Sequence, residues 1–103
     1  MKPIICIRFE KASKLLSKRW VGLIINQLMA GPKRFSLLAS EIQVSGKVLS
    51  ERLKELENED LITRSVYAEV PVRVEYELTK KGYALKPVMD AIDQWSKSWI
   101  QEA

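Results

Sequence analysis

Histidine is absent from this sequence, and cysteine occurs once in 103 residues, at Cys6. Without histidine there is no imidazole for acid–base catalysis or for a nucleophile–base triad. A single cysteine closes no internal disulfide, and with neither histidine nor a cysteine cluster the sequence offers no zinc site. No cofactor is expected. No nucleophile stands in a pattern with a base, so the expectation is that the chain is not an enzyme. Long apolar runs are also missing, and nothing approaches the roughly 20 residues that span a bilayer. Residues 1–6 are too short for a signal peptide and charged residues follow them. A cytoplasmic location is therefore expected. Repeats and low-complexity linkers are absent as well, and the length fits one domain over residues 1–103.

What the chain does contain is an ordinary globular composition, 47% hydrophobic and 29% charged. A core of this size is modest, and a second copy would help to stabilise it. The net charge is +4, but its distribution says more. Residues 1–54 carry a net +8 and residues 55–103 a net −4. A basic front half suggests a side that faces a polyanion. The alternative is chance fluctuation of charge along the chain, and only the pattern found within the basic half weighs against it.

Apolar spacing predicts a short helix over residues 9–16, marked by Phe9, Ala12, Leu15 and Leu16. A second helix is predicted over residues 19–29, with Trp20, Leu23, Ile24 and Leu28 inward and Ile25 beside them. Gly31-Pro32 stops it. Phe35 fits a very short strand, and Ser36 fits the N-cap of a helix through Ile42. Ser45 is then the expected N-cap of an amphipathic helix with Leu49, Leu53 and Leu56 buried and Val48 at the edge. Its opposite face holds Lys47, Ser50, Glu51 and Lys54. Asn58-Glu59-Asp60 ends this helix. A strand from Ile62 to Tyr67, a turn at Ala68-Glu69-Val70-Pro71, and a return strand alternating Val72, Val74, Tyr76 and Leu78 with Arg73, Glu75 and Glu77 make a hairpin. Thr79 should cap one last long helix. Leu85, Val88, Met89, Ile92, Trp95 and Trp99 share one face of it, and Pro87 kinks it or marks its true start.

The expected fold is mainly α with a small β-hairpin: a winged helix-turn-helix with the wing at residues 61–79 and extra helices at both ends, over 6–17 and 80–103. In such a fold the helix that starts at Ser45 can enter the major groove of double-stranded DNA. Lys47 and Lys54 can reach phosphates or guanine edges, Ser50 either bases or phosphates, and Glu51 a cytosine amine. Arg52 lies nearer the buried stripe, where it bonds phosphate or braces the helix through Glu55 or Glu57. The competing reading of this face is a solvated surface with i, i+4 charge pairs. Arg73 is the chosen wing contact, against the alternative of pairing with Glu69 or Glu75, and Arg64 is a weaker candidate. Lys33, Arg34 and Ser36 suit phosphates at the edge of the site, a solvated loop being the other reading. Trp95 and Trp99 suit a dimer core better than a ligand pocket.

Several stretches together resemble the HxlR family of transcription regulators, relatives of the MarR group. They are Lys18-Arg19-Trp20 with Ile24 and Leu28, Gly31-Pro32-Lys33-Arg34-Phe35, and Val48 through Glu57. Val70-Pro71, Val74-Glu75-Tyr76-Glu77-Leu78-Thr79 and Gly82 complete the set. The similarity covers roughly residues 6–100. It implies a homodimer, joined through the first and last helices, that represses or activates at a short inverted repeat. The dimer residues it points to are Phe9, Leu85, Val88, Met89, Ile92, Trp95 and Trp99. One branch of the family senses quinones, other electrophiles or thiol oxidants through a cysteine just ahead of the first helix. Cys6 stands there, fourteen positions before Trp20. Two departures bear on this: Ile7, not proline, follows the cysteine, and there is no second cysteine near the C-terminus.

From the residues alone, Cys6 lies among Ile4, Ile5 and Ile7, with Arg8 and Lys11 close in sequence. A thiol at a helix N-terminus near basic groups ionises readily and attacks electrophiles, whereas a buried free cysteine is inert. With one cysteine, oxidation ends as a sulfenic acid, a mixed disulfide, a bridge between subunits or an alkylated adduct. The leading expectation is a repressor released from its operator when Cys6 is modified. Its rivals are a regulator of the same type without a cysteine switch, and a winged helix used as a protein-interaction module.

Overall fold

The computed structural model describes residues 6–102; Ile4 and Ile5, invoked as neighbours of Cys6, lie outside the described residues. Among the described residues six helices and three short strands follow one another. Helix α1 spans Ile7–Ser17 and α2 spans Val21–Leu28. Strand β1 is Lys33–Arg34, α3 is Phe35–Ile42 and α4 is Gly46–Asn58. Strands β2 (Ile62–Tyr67) and β3 (Arg73–Leu78) lead into α5 (Lys80–Tyr83) and α6 (Lys86–Trp99). Mainly helical with a small antiparallel sheet, this is the winged helix-turn-helix expected.

The second helix starts later than its spacing suggests. Trp20 sits at φ 77°, in the left-handed region, and precedes α2 instead of joining it. Helix α2 buries Val21, Ile24, Ile25 and Leu28, while Leu23 is 53% exposed. Five of the eight positions of α2 are apolar, three of them consecutive (Leu23-Ile24-Ile25), so packing against the other helices, not the sequence pattern, selects the inward face.

Gly31, at φ 132°, turns the chain into β1. That two-residue strand pairs with β3, Lys33 against Tyr76 and Arg34 against Glu75, giving a three-stranded sheet in the order β1-β3-β2. Phe35 is therefore not a strand residue but the first residue of α3. Nor is Ser36 its cap: Arg34 occupies the N-cap position and no side chain caps the helix. The backbone N–H groups of α3 begin where β1 ends, so pairing with β3 sets the start. Phe35 instead packs its ring near Tyr76, centroids 6.4 Å apart.

Helix α3 ends at Gln43, left-handed at φ 60° and ψ 51°, whose N–H returns to the Ala39 carbonyl. Gln43, Val44 and Ser45 form the turn of the helix-turn-helix. The Ser45 hydroxyl accepts from the Val48 N–H at 3.2 Å, as a cap should. Replacing Ser45 with alanine is expected to lower stability by about 1 kcal/mol, measurable by urea unfolding. Leu49, Leu53 and Leu56 are each no more than 1% exposed. The far end of α4 closes with Asp60 in the left-handed region, the Asp60 N–H bonded to Glu57 O and the Leu61 N–H to Leu56 O. This pairing satisfies the last carbonyls in the way a C-terminal glycine usually permits.

Strands β2 and β3 run in register from Ile62 opposite Leu78 to Tyr67 opposite Arg73. Val72, expected in the return strand, precedes β3 and is exposed. The single last helix expected from Thr79 is two. The Thr79 hydroxyl caps α5 by accepting from the Gly82 N–H at 3.1 Å, and α6 begins at Lys86 with Pro87 in its first turn, where proline needs no partner for its missing N–H. The core gathers α2, Leu38 of α3, the α4 stripe, Leu61, Ile62, Tyr76, Leu78 and Met89. Helix α1 contributes no buried residue, only the partly buried Leu15 and Leu16.

Candidate nucleic-acid interface

Burying the leucine stripe of α4 turns the other side of the helix outward. Lys47, Ser50, Glu51 and Lys54 are all exposed there, along the first two-thirds of the helix. No ion pair or side-chain hydrogen bond among the described residues engages these four. Two cations, a hydroxyl and one carboxylate thus face solvent together, a set able to meet phosphates and base edges. Ser45 stands at the head of this face with its hydroxyl committed to the cap.

Other candidates are placed differently. Lys33 turns inward from β1: its Nζ lies 2.8 and 2.9 Å from the two Glu41 carboxylate oxygens and 3.3 Å from Gln27 Oε1. Its side chain is only 15% exposed, so the cation is matched within the chain. Arg34 and Ser36 are exposed at the edge of the helix-turn-helix. Arg52 points back towards the α1–α2 corner, its Nε 3.1 Å from the Arg19 carbonyl oxygen and its Nη1 3.4 Å from Glu55 Oε1.

Arg73 takes the paired geometry. Its guanidinium bonds Glu69 at 3.0 and 3.3 Å, bonds Glu75, and lies 3.9 Å above the Tyr67 ring. The hydrogen bond to Glu69 leads in raising its pKa above the ordinary arginine value, with Glu75 adding to it. Arg73 is thus the internal clasp of the wing. Beside the exposed Glu69, the tip presents three valines to solvent: Val66, Val70 and Val72 are 55%, 102% and 62% exposed. Arg64 is exposed on β2.

Cys6 is exposed at the N-cap position of α1, and its side chain makes no cap bond. Arg8 and Lys11 are exposed on the first turns of that helix. Among the expected dimer residues, Phe9, Val88, Ile92, Trp95 and Trp99 are exposed, from 40% at Val88 to 74% at Trp99. Met89 is instead buried in the core, with Leu85 packed beside it. The turn between α5 and α6 swings these two inward, and the outer stripe of α6 is Val88, Ile92, Trp95 and Trp99.

A model of the HxlR-like helix-turn-helix matches residues 15–103. The chain belongs to the HxlR family. It is accordingly a DNA-binding transcription regulator and not an enzyme. Among HxlR-like proteins, YvaP, an HTH-type transcriptional regulator of Bacillus subtilis, is 54% identical over 96 residues, covering 92% of this chain and 89% of YvaP. The reduced form of the B. subtilis transcriptional regulator YodB superposes with a TM-score of 0.83 at 45% identity, over 95% of this chain and 97% of YodB. Quinone-bound YodB superposes at 0.81 and 44% identity, over 92% and 100%. Among the described residues no helix is long and apolar enough to cross a membrane, and no group of three or more His, Cys, Asp or Glu is placed to hold a metal ion.

Proposed function

We propose that this regulator is a cytoplasmic homodimeric repressor, one winged-helix unit over residues 1–103, that leaves its operator when Cys6 is oxidised or alkylated by a quinone. The observation that carries this reading is the open thiol of Cys6 at the head of α1, a helix with no buried residue of its own. A helix held so lightly moves at little cost when its end is modified. The likeness to a regulator solved with quinone bound supports the choice of electrophile.

DNA is bound through the open face of α4, with Lys47, Ser50, Glu51 and Lys54 on the operator and Arg34 and Ser36 near flanking phosphates. The dimer is built from residues 6–17 and 80–103, with Phe9, Val88, Ile92, Trp95 and Trp99 as its apolar contacts. The radius of gyration, 15.5 Å, exceeds the roughly 13 Å of a compact domain of about 100 residues, as fits a chain whose end helices project towards a partner. Two copies of α4 then read half-sites of an inverted repeat roughly 34 Å apart.

Addition of the Cys6 thiol to a quinone forms a carbon–sulfur bond and breaks a ring C=C π bond. The thiol proton ends on a quinone oxygen, leaving an S-linked hydroquinone, and no further oxidant is consumed. The adduct displaces α1, repacks the dimer contact and changes the spacing of the two α4 helices. Fluorescence anisotropy on duplex DNA from the protein's own upstream region tests this. The wild type should bind tightly, lose affinity as salt rises, and be released by benzoquinone. Cys6→Ser should bind equally well and ignore the quinone. Release of Cys6→Ser to the same extent would leave the regulator without its cysteine switch.

A further inference from the structure

Arg52 lies on α4 between the buried stripe and the outward face, with its side chain 20% exposed. Two of its three nitrogens are already engaged. Nε bonds the backbone carbonyl of Arg19, 33 residues earlier in the chain, and Nη1 bonds Glu55. The second Glu55 carboxylate oxygen pairs with Lys18 Nζ at 2.9 Å. Arg19 in turn lays its guanidinium over the Trp20 ring, 4.7 Å from its centroid. Two side chains on the back of α4 therefore hold two of the three residues that join α1 to α2, Lys18 and Arg19, and the third, Trp20, lies under the Arg19 guanidinium.

This corner needs holding. Trp20 adopts a left-handed backbone that bulky L residues avoid, and the helix leading into it has no fully buried residue, only the partly buried Leu15 and Leu16. The Lys18–Glu55 pair is the ion pair, among the described residues, that ties this end of α1 to another helix. We infer that Arg52 is a positioning residue: with Glu55 it straps the α1–α2 corner to the back of α4 and sets the pose of the DNA-reading face, without itself binding phosphate. This rests on the reading of α4 as the DNA-contacting helix. It also gives α1 a polar connection to α4 at the end opposite Cys6, about 18 Å away along the helix. Arginine suits the task because its planar fork reaches a carbonyl and a carboxylate at once, which a lysine ammonium on its single flexible stem does not reproduce.

Full-length wild type, Arg52→Met and Arg52→Lys would be compared by two measurements. The first is amide hydrogen exchange of Val21 and Ile24, whose N–H groups bond Lys18 O and Trp20 O at the corner. Exchange there should quicken about tenfold in Arg52→Met, while Leu53 and Leu56 in the middle of α4 stay at wild-type rates, and Arg52→Lys should fall between. Unchanged exchange at the corner overturns the strap, and this readout needs no DNA. The second is anisotropy on upstream duplex DNA across a salt series. A positioning role predicts about tenfold weaker binding of Arg52→Met with the slope of log affinity against log salt unchanged. A slope smaller by about one would make Arg52 a phosphate contact and overturn the proposal, as would unchanged affinity. If the wild type binds no DNA, the reading of α4 fails, and the exchange data still decide whether the strap exists.

Discussion

Replacing Gly82 with alanine is expected to lower stability by about 3 kcal/mol. In a domain of this length that corresponds to a fall in Tm of roughly 12–24 °C. A Cβ on Gly82 would stand 2.3 Å from the Leu61 carbonyl oxygen and 3.0 and 3.1 Å from Leu78 Cδ2 and Cβ. The nearest of these atoms is backbone and cannot rotate aside. That carbonyl accepts the Thr79 N–H at 2.9 Å, and the Thr79 hydroxyl donates to Asp60 O at 2.7 Å while capping Gly82. One methyl therefore pries apart the place where the end of α4, the sheet and α5 meet. Thermal unfolding at matched protein concentration measures the loss; a Tm within about 3 °C of wild type would show that the junction yields more easily than its geometry implies.

An aspartate in place of Ile92 should leave the fold standing and separate the proposed dimer. Ile92 is 54% exposed in the single chain, between Val88 and Trp95 on the outer stripe of α6, so the change costs the isolated fold little. Against a partner's apolar stripe the same carboxylate would be desolvated without a matching cation, which is strongly unfavourable. Each half-site would then be held by one α4 alone, and operator affinity should fall by about 10²–10⁴-fold as the linked second contact is lost. Light scattering should give the mass of one chain, with far-UV circular dichroism unchanged. Undiminished operator binding by a verified monomer would remove dimerisation from the mechanism.

The parts of this molecule that read clearly from its sequence are those settled by near neighbours. Ser45 caps and the three leucines of α4 are buried because an N-cap and an i, i+4, i+7 stripe need only one turn of helix to define them. The β2–β3 hairpin follows from alternation across one turn. Strand β1 carries no such signal: two residues have no period, and its partner lies some forty residues further on. The left-handed corners at Trp20, Gln43 and Asp60 fall on residues that do not advertise them as glycine would. In the candidate interface, the open face of α4 was legible for the same local reason as the helix. Lys33 and Arg52 were not, because each cation's fate depends on groups brought close only by the fold, Glu41 for one and the Arg19 carbonyl for the other. Arg73 is intermediate: both carboxylates that clasp it lie within four residues, and the pairing was visible beside the DNA contact as an alternative.

The indoles of α6 give the molecule an optical property. Trp95 and Trp99 are 60% and 74% exposed, whereas Trp20 is half-buried beside the Arg19 guanidinium. Indole emission shifts to shorter wavelength when water is withdrawn from the ring, so two of the three fluorophores report on whatever covers α6 while the third stays with the α1–α2 corner. For the proposed dimer, dilution then becomes a spectroscopic titration without any added dye, its red-shifted limit the separated chain, and a Trp20→Phe background would isolate that signal.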